Sequence, residues 1–417
     1  MSRLPWMRSG PRPFAVLDMG TSKICCLIVM PDAKGHPMSI GIGYQRSQGI
    51  KSGQIFDAVA AETAARAAIG QAERMAGVSL EGVAVAISCG RLSSAAFKAR
   101  ATIAGDTVVQ GDMDRVITGG EAYVERSGRG IVELARSEWQ IDGTAGIRDP
   151  RGLAGRELSV ELTAITADEP PVRNFLAIVE RCHLAIESVA ATPHASALAV
   201  TSPDERRDGV LTVDIGAGVT SIAAFADERL LMAQAIPVGG NHVTYDIARA
   251  FGTSVSEAER IKTLYGTLVK ASSDETELIH YPVQNGEENA YEQSTMAELG
   301  RVIEPRIESL LGLIEERVRA AGLGELLSRR VVLTGGASQL QGLDLAWGSR
   351  FQSMVRVGRP LPIGRMPPNM CTPAYATVLG LAWAGHHAGA AVAVQAPGQA
   401  VGAGYIGRVR HWIGTSF

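Results

Sequence analysis

Residues 210–226 read VLTVDIGAGVTSIAAFA. Two apolar, β-rich runs flank a short glycine-rich turn that begins at Asp214, and that pattern predicts a hairpin. Residues 14–30, FAVLDMGTSKICCLIVM, follow the same plan, with Asp18 to Ser22 in the turn. The two aspartates lie roughly 200 residues apart, and self-similarity over such a distance predicts two halves built on one pattern.

The turns suggest a chemistry. A polyphosphate needs backbone N–H groups aimed at it, little side-chain bulk in the way, and a cation; glycine-rich turns supply the first two. The candidate phosphate contacts are Gly20, Thr21, Ser22 and Lys23 in the first turn and Gly216, Gly218 and Thr220 in the second. Asp18 and Asp214, each at a strand end, are placed to hold Mg2+ through water. A third glycine element, VVLTGGASQLQGL at 331–343, reads as strand, turn and helix. Gly335 and Gly336 would let a flat base or ribose approach, and Ser338 is expected near a helix start that favours negative charge.

Length and composition bound the rest. The chain has 417 residues, 46% hydrophobic and 20% charged, which predicts more than one domain of ordinary globular composition. A net charge of −3 argues against a nucleic-acid binder. Five cysteines without a C-x-x-C spacing read as buried, reduced thiols of a cytosolic body. No signal peptide and no run of about 20 apolar residues is expected in it. An alanine-rich helix at 57–77 should pack through Ala60, Ala64, Ala67, Ala68 and Ala72. Pro305, inside the long amphipathic stretch at 296–323, predicts a kink or a second helix start.

Taken in order, Asp-x-Gly-Thr, Asp-x-Gly-x-Gly-x-Thr and Thr-Gly-Gly-Ala-Ser resemble the motifs of the actin, sugar kinase and DnaK-type chaperone ATPase superfamily. The resemblance implies an α/β, actin-like two-lobed ATPase fold with ATP and Mg2+ clamped between the hairpins. It also implies that Glu259 and Lys262, in SEAERIKTLYG, reach ribose and base, an exposed i, i+3 ion pair being the alternative. Gly239 and Gly240, in IPVGGN, would lie near the terminal phosphate. The superfamily often orients the attacking water with a carboxylate before a small-residue helix. Here that segment reads AATPHASALAV, and His194 is the nearest titratable group. His194 is either a stand-in for that carboxylate or a satisfied histidine at an interface, so ATP binding with weak or absent hydrolysis is expected.

Within the superfamily, residues 124–158 (VERSGRGIVELARSEWQIDGTAGIRDPRGLAGREL), IPVGGNHVTYDIARAFG and AELGRVIEPRIESLL are similar to the bacterial division family FtsA. That resemblance implies the following plan: an N-terminal tail (1–13), a first-lobe subdomain (14–82), an inserted α+β subdomain (83–171), and a first-lobe return (172–207). A second lobe follows (208–365, with a small exposed subdomain around 250–305), then a return to the first lobe (366–388), a flexible linker (389–402) and an amphipathic helix (403–417). It implies binding to FtsZ, self-association, recruitment of later division proteins, and a place on the cytoplasmic side of the membrane at the septum.

The last segment supports the membrane reading independently. At about 100° per residue, Tyr405, Ile406, Val409, Trp412, Ile413 and Phe417 occupy one arc of roughly 140°. Arg408 and Arg410 border that arc, the layout of a helix lying in a bilayer surface against anionic lipid. Docking on the protein's own core is the alternative. Three rivals share parts of the pattern. A sugar or acyl kinase would need a catalytic carboxylate beside a hairpin, and none is found there. A PilM-like pilus scaffold is not expected to carry the terminal anchor. A DnaK-type chaperone would need a large domain after the ATPase.

Overall fold

Both hairpins form, and each becomes the middle of a five-stranded sheet. In the first sheet the strand order is Ala185–Ala191, Gly82–Ile87, Phe14–Met19, Lys23–Pro31, Pro37–Arg46. In the second it is Met354–Val357, Arg330–Thr334, Val210–Ile215, Thr220–Ala226, Arg229–Ile236. Each sheet has three antiparallel strands consecutive in the chain; a later strand adds in parallel to the first of them, and another adds in parallel to that one. The repeat read from two turns is therefore a repeat of topology. This computed structural model describes residues 13–125, 128–283 and 291–392.

The parallel pairing explains the hydropathy of the central strands. Val210–Ile215 and Gly82–Ile87 are buried along their whole length, as strands covered on both faces must be. On the first sheet the covering helix is Ala58–Ala76, started by Asp57, whose carboxylate accepts from the Val59 and Ala60 amides, and stopped by left-handed Gly77 (φ 67°). Its buried stripe is Ala61, Ala64, Ala65, Ala68, Ile69 and Ala72. The stripe is turned from the expected one: Ala67 is exposed, because Ile69 brings the larger apolar side chain inward. The helix lies directly on strand backbone. A Cβ at Gly43 would fall 1.7 Å from the Ala68 carbonyl oxygen, and one at Gly41 2.4 Å from that of Ala72.

The insert is a four-stranded antiparallel sheet, in the order Ser93–Thr102, Glu157–Ala167, Gly130–Ile141, Thr144–Ile147, covered by the helix Gln110–Glu125. It is narrower than the expected 83–171. Gly82–Ile87 is a strand of the first sheet, and the helix Glu169–Arg181 packs on that same lobe through Val172, Phe175 and Val179. The insert leans on the second lobe's outer strand, where the Thr163 hydroxyl donates to the Leu230 carbonyl at 2.7 Å and the Ala233 amide to the Ser94 hydroxyl at 2.7 Å.

In the second lobe, the helices Gly240–Ala250 and Val255–Tyr265, the hairpin Leu278–Pro282 with Tyr291–Thr295, and the helix Met296–Ala320 share one core with the sheet and the fully buried Trp347. Met296–Ala320 is a single helix that runs through Pro305, anchored at its start by a capping box between Thr295 and Glu298. Its buried side chains, from Leu299 to Val318, supply the packing that holds it across the missing proline N–H.

Two helices join the lobes. Thr192–Val200 and Ala376–Val392 cross so closely that a Cβ at Gly380 would lie 1.9 Å from the Ala195 carbonyl oxygen. The second of them extends to Val392, so the segment expected as linker from 389 begins as helix. The remainder of that segment, and the whole amphipathic stretch at 403–417 with Tyr405, Ile406, Arg408, Val409, Arg410, Trp412, Ile413 and Phe417, lie outside the described residues. Among the described residues no helix is long and apolar enough to cross a membrane. Cys25, Cys26, Cys89 and Cys182 are buried free thiols, and burial pushes Cys25 and Cys89 up to about 12.

Candidate functional site

Because the two sheets repeat one topology, each hairpin turn sits at the same end of a central strand, and the turns meet across a cleft of about 1200 Å³. Contact between them is tight. A Cβ at Gly218 would come within 2.6 Å of the Thr21 hydroxyl, and the Gly53 amide donates to that hydroxyl at 3.2 Å. Gly239 is equally constrained, its Cβ position lying 2.5 Å from the Gly216 carbonyl oxygen. Any side chain at Gly218 or Gly239 would force the elements apart.

Asp18 and Asp214 face this cleft from the two lobes. Burial raises both carboxyls to about 6; the Lys23 ammonium opposes that shift at each, and the charge of Asp214 adds to it at Asp18. The Thr377 hydroxyl donates to Asp214 at 3.3 Å, and the Ser196 hydroxyl lies beside that carboxylate. Lys23 donates to the Ala374 carbonyl and lies 4.2 Å from the centre of the Tyr375 ring, and burial lowers its pKa. Among the described residues, the amides of Thr21, Ser22, Ala217 and Gly218 donate to no protein acceptor, so both turns carry free N–H groups. Two desolvated carboxylates beside free amides and an ammonium suit a ligand that is itself anionic and brings a cation.

Of the residues expected to touch a nucleotide, Asp18, Gly20, Thr21, Ser22, Lys23, Asp214, Gly216, Gly218, Gly239, Gly240, Glu259, Lys262, Gly335 and Gly336 line the cleft. Thr220 and Ser338 do not. Thr220 is fully buried and its hydroxyl donates to the Val238 carbonyl at 2.7 Å; the Ser338 hydroxyl donates to the Gly335 carbonyl at 2.7 Å. Ser338 also fails as a helix start. Gly336–Gln339 is a short 3-10 turn, and the α-helix begins only at Leu343, because left-handed Gly335 (φ 85°) and Gly342 (φ 82°) bend the chain twice.

For Glu259 and Lys262 the ion-pair reading holds, and the pair also faces the cleft. They form an ion pair at 2.7 Å and line the cleft, and Lys262 also donates to the Thr244 hydroxyl at 2.8 Å and the Gly240 carbonyl at 3.2 Å. Of the two readings of His194, the geometry favours the interface one. It is buried, lies outside the cleft lining, and pairs through Nδ1 with Glu133 of the insert, so it is the interface histidine rather than a group that can orient water in the cleft. Thr192 does line the cleft.

Sequence reasoning missed Tyr44, Arg46, Asn241, Thr244, Arg306 and Thr377, all in the lining. Arg46 carried a usable signal, since it sits opposite Lys23 in the strand register. Arg306 carried none. Its place is fixed by a two-pronged contact with Asp246 (2.6 and 3.0 Å) that only the packing of two helices creates. Among the described residues no group of three or more His, Cys, Asp or Glu side chains could hold a metal directly. A divalent cation here would rely on water and ligand oxygens, with Asp18 and Asp214 as outer partners.

The family model of cell division protein FtsA matches residues 211–380, and that of the SHS2 domain inserted in FtsA matches 89–166. Cell division protein FtsA of Rhizobium meliloti is 36% identical over 379 residues, covering 88% of this chain and 86% of that protein. That of Escherichia coli is 32% identical over 414 residues, covering 96% and 97%. Among solved structures, the PilM–PilN type IV pilus biogenesis complex contributes a chain with a TM-score of 0.62 at 16% identity, covering 89% of this chain and 98% of that one. An MreB of Spiroplasma citri bound to AMPPNP gives a TM-score of 0.52 at 14% identity, covering 88% and 94%. These structures speak for an actin-like fold. The matched lengths span hairpins, cleft and insert, and the chain belongs to the FtsA family of cell division proteins.

Proposed function

We propose that this protein is an ATP-binding, actin-like component of bacterial cytokinesis that binds FtsZ and tethers it to the cytoplasmic face of the cell membrane at the septum. On this reading it self-associates and recruits later division proteins. The observation that carries the nucleotide part is the pair of hairpin turns with free amides facing each other across one cleft, each with a desolvated aspartate. The MreB relative of the same fold holds AMPPNP. Gly20–Lys23 and Gly216–Gly218 would hold the phosphates, Asp18 and Asp214 the water shell of Mg2+, and Glu259, Lys262, Gly335 and Gly336 the nucleoside end. Bound Mg2+ would supply charge neutralisation for the phosphates.

The chain's own residues give little support for hydrolysis. Thr192 stands where a water-orienting carboxylate would be needed, and His194 is held by Glu133. Turnover is expected to be weak or absent. A small-molecule kinase of the same fold meets the same obstacle. A PilM-like role has the fold in its favour, but 16% identity to that chain against 32–36% to FtsA proteins supports the division reading.

Membrane attachment rests on residues 403–417 and on avidity. One short amphipathic helix binds weakly, and an oligomer presents many together. Liposome co-sedimentation with anionic vesicles tests it. The full chain should pellet, while Trp412→Glu and a chain ending at Val401 should stay in the supernatant; equal pelleting of all three would end the tether.

A further inference from the structure

One buried carboxylate ties the insert to the helix that flanks the cleft. Glu133 belongs to the insert strand Gly130–Ile141, yet it is 1% exposed. Its Oε2 accepts the Ala191 amide N–H at 2.9 Å, and its Oε1 meets Nδ1 of His194. Ala191 precedes the helix Thr192–Val200 and has no capping side chain of its own, so the insert supplies the acceptor for that amide. On the same helix Thr192 lines the cleft, and the Ser196 hydroxyl lies beside Asp214. The His194 ring rests 5.8 Å from that of Phe225 in the second sheet, and the Ala195 carbonyl backs onto Gly380. A helix of nine residues held at so many points shifts as one body.

Resting on the nucleotide reading above, we propose that Glu133 is a positioning residue that couples occupancy of the cleft to the insert. Closure of the lobes on a nucleotide moves Asp214 and, through Ser196, the helix Thr192–Val200; Glu133 and His194 carry that movement into the insert sheet. The two-state element is the pair of lobes turning about the crossing of Thr192–Val200 and Ala376–Val392. Because coupling is reciprocal, a change at Glu133 must alter nucleotide affinity although Glu133 lies outside the cleft lining.

Amide hydrogen exchange on the full chain, with and without MgAMPPNP, tests this. In the wild type, nucleotide should slow exchange in the two cleft turns and also in the insert strands 130–141 and 157–167. In Glu133→Gln the turns should still be protected, the insert response should vanish, and the dissociation constant should shift about fivefold. His194→Gln, which breaks the same link from the helix side, should do likewise. Protected turns with an insert that never responds, or an insert response unchanged in both variants, would overturn the coupling alone. Turns that gain no protection in the wild type would overturn the nucleotide reading and this proposal with it.

Discussion

Asp18 is the residue where burial, charge and ligand binding meet most directly. Its carboxyl titrates near 6 in the folded protein against 3.8 as the ordinary value, so the fold favours its protonated form. The stabilisation is therefore complete below about pH 4 and is lost as pH rises through about 6. Asp18→Asn removes the cost of burying a charge, and should stabilise the unliganded protein by roughly 1–3 kcal/mol at pH 7.5 and by about a third of that at pH 4.5. Denaturant midpoints at the two pH values check this; equal midpoints for variant and wild type at pH 7.5 would contradict it. Places in the cleft were legible in the sequence where backbone chemistry fixes them, as at Gly20, Gly216 and Gly218. They were not legible at Thr220 and Ser338, whose hydroxyls are consumed by the carbonyls of Val238 and Gly335.

Among the elements, the helix Ala58–Ala76 on the strand Pro37–Arg46 shows why small residues recur. Helix and strand backbones touch at Gly43 and Gly41, with Ala68 and Ala72 above them. Gly43→Ala has no room and should cost roughly 1–3 kcal/mol, read as a lower denaturation midpoint. A control at Gly105, where a Cβ meets nothing within 4 Å, should be far milder. Equal losses at the two sites would refute the close-packing account. Hairpins and the alanine-rich helix were legible because each follows local periodicity. Three element boundaries were not. The strand Gly82–Ile87 joins the first sheet by parallel pairing with a distant partner, the turn at Gly336 stays 3-10 because of backbone bends, and the last helix persists to Val392. Pro305 looked like a break, and the apolar face of Met296–Ala320 overrode it.

The whole molecule joins two copies of one sheet topology through two crossing helices, with the cleft of about 1200 Å³ on one side and the SHS2 insert reaching the same helix from another. The duplication was visible from two aspartates, since a strand-turn-strand repeat is a local pattern. The route from Glu133 to the cleft was not, because a glutamate in an apolar strand gives no sign of a partner 61 positions away. The account rests on that cleft being a Mg-nucleotide site. Calorimetric titration of MgATP into the wild type and Gly239→Val, with phosphate release followed in the same samples, tests it most directly. The account predicts saturable one-to-one binding by the wild type, loss of at least tenfold in affinity in Gly239→Val, and phosphate release that is slow or absent. No binding by the wild type, or equal binding by the two proteins, would contradict it.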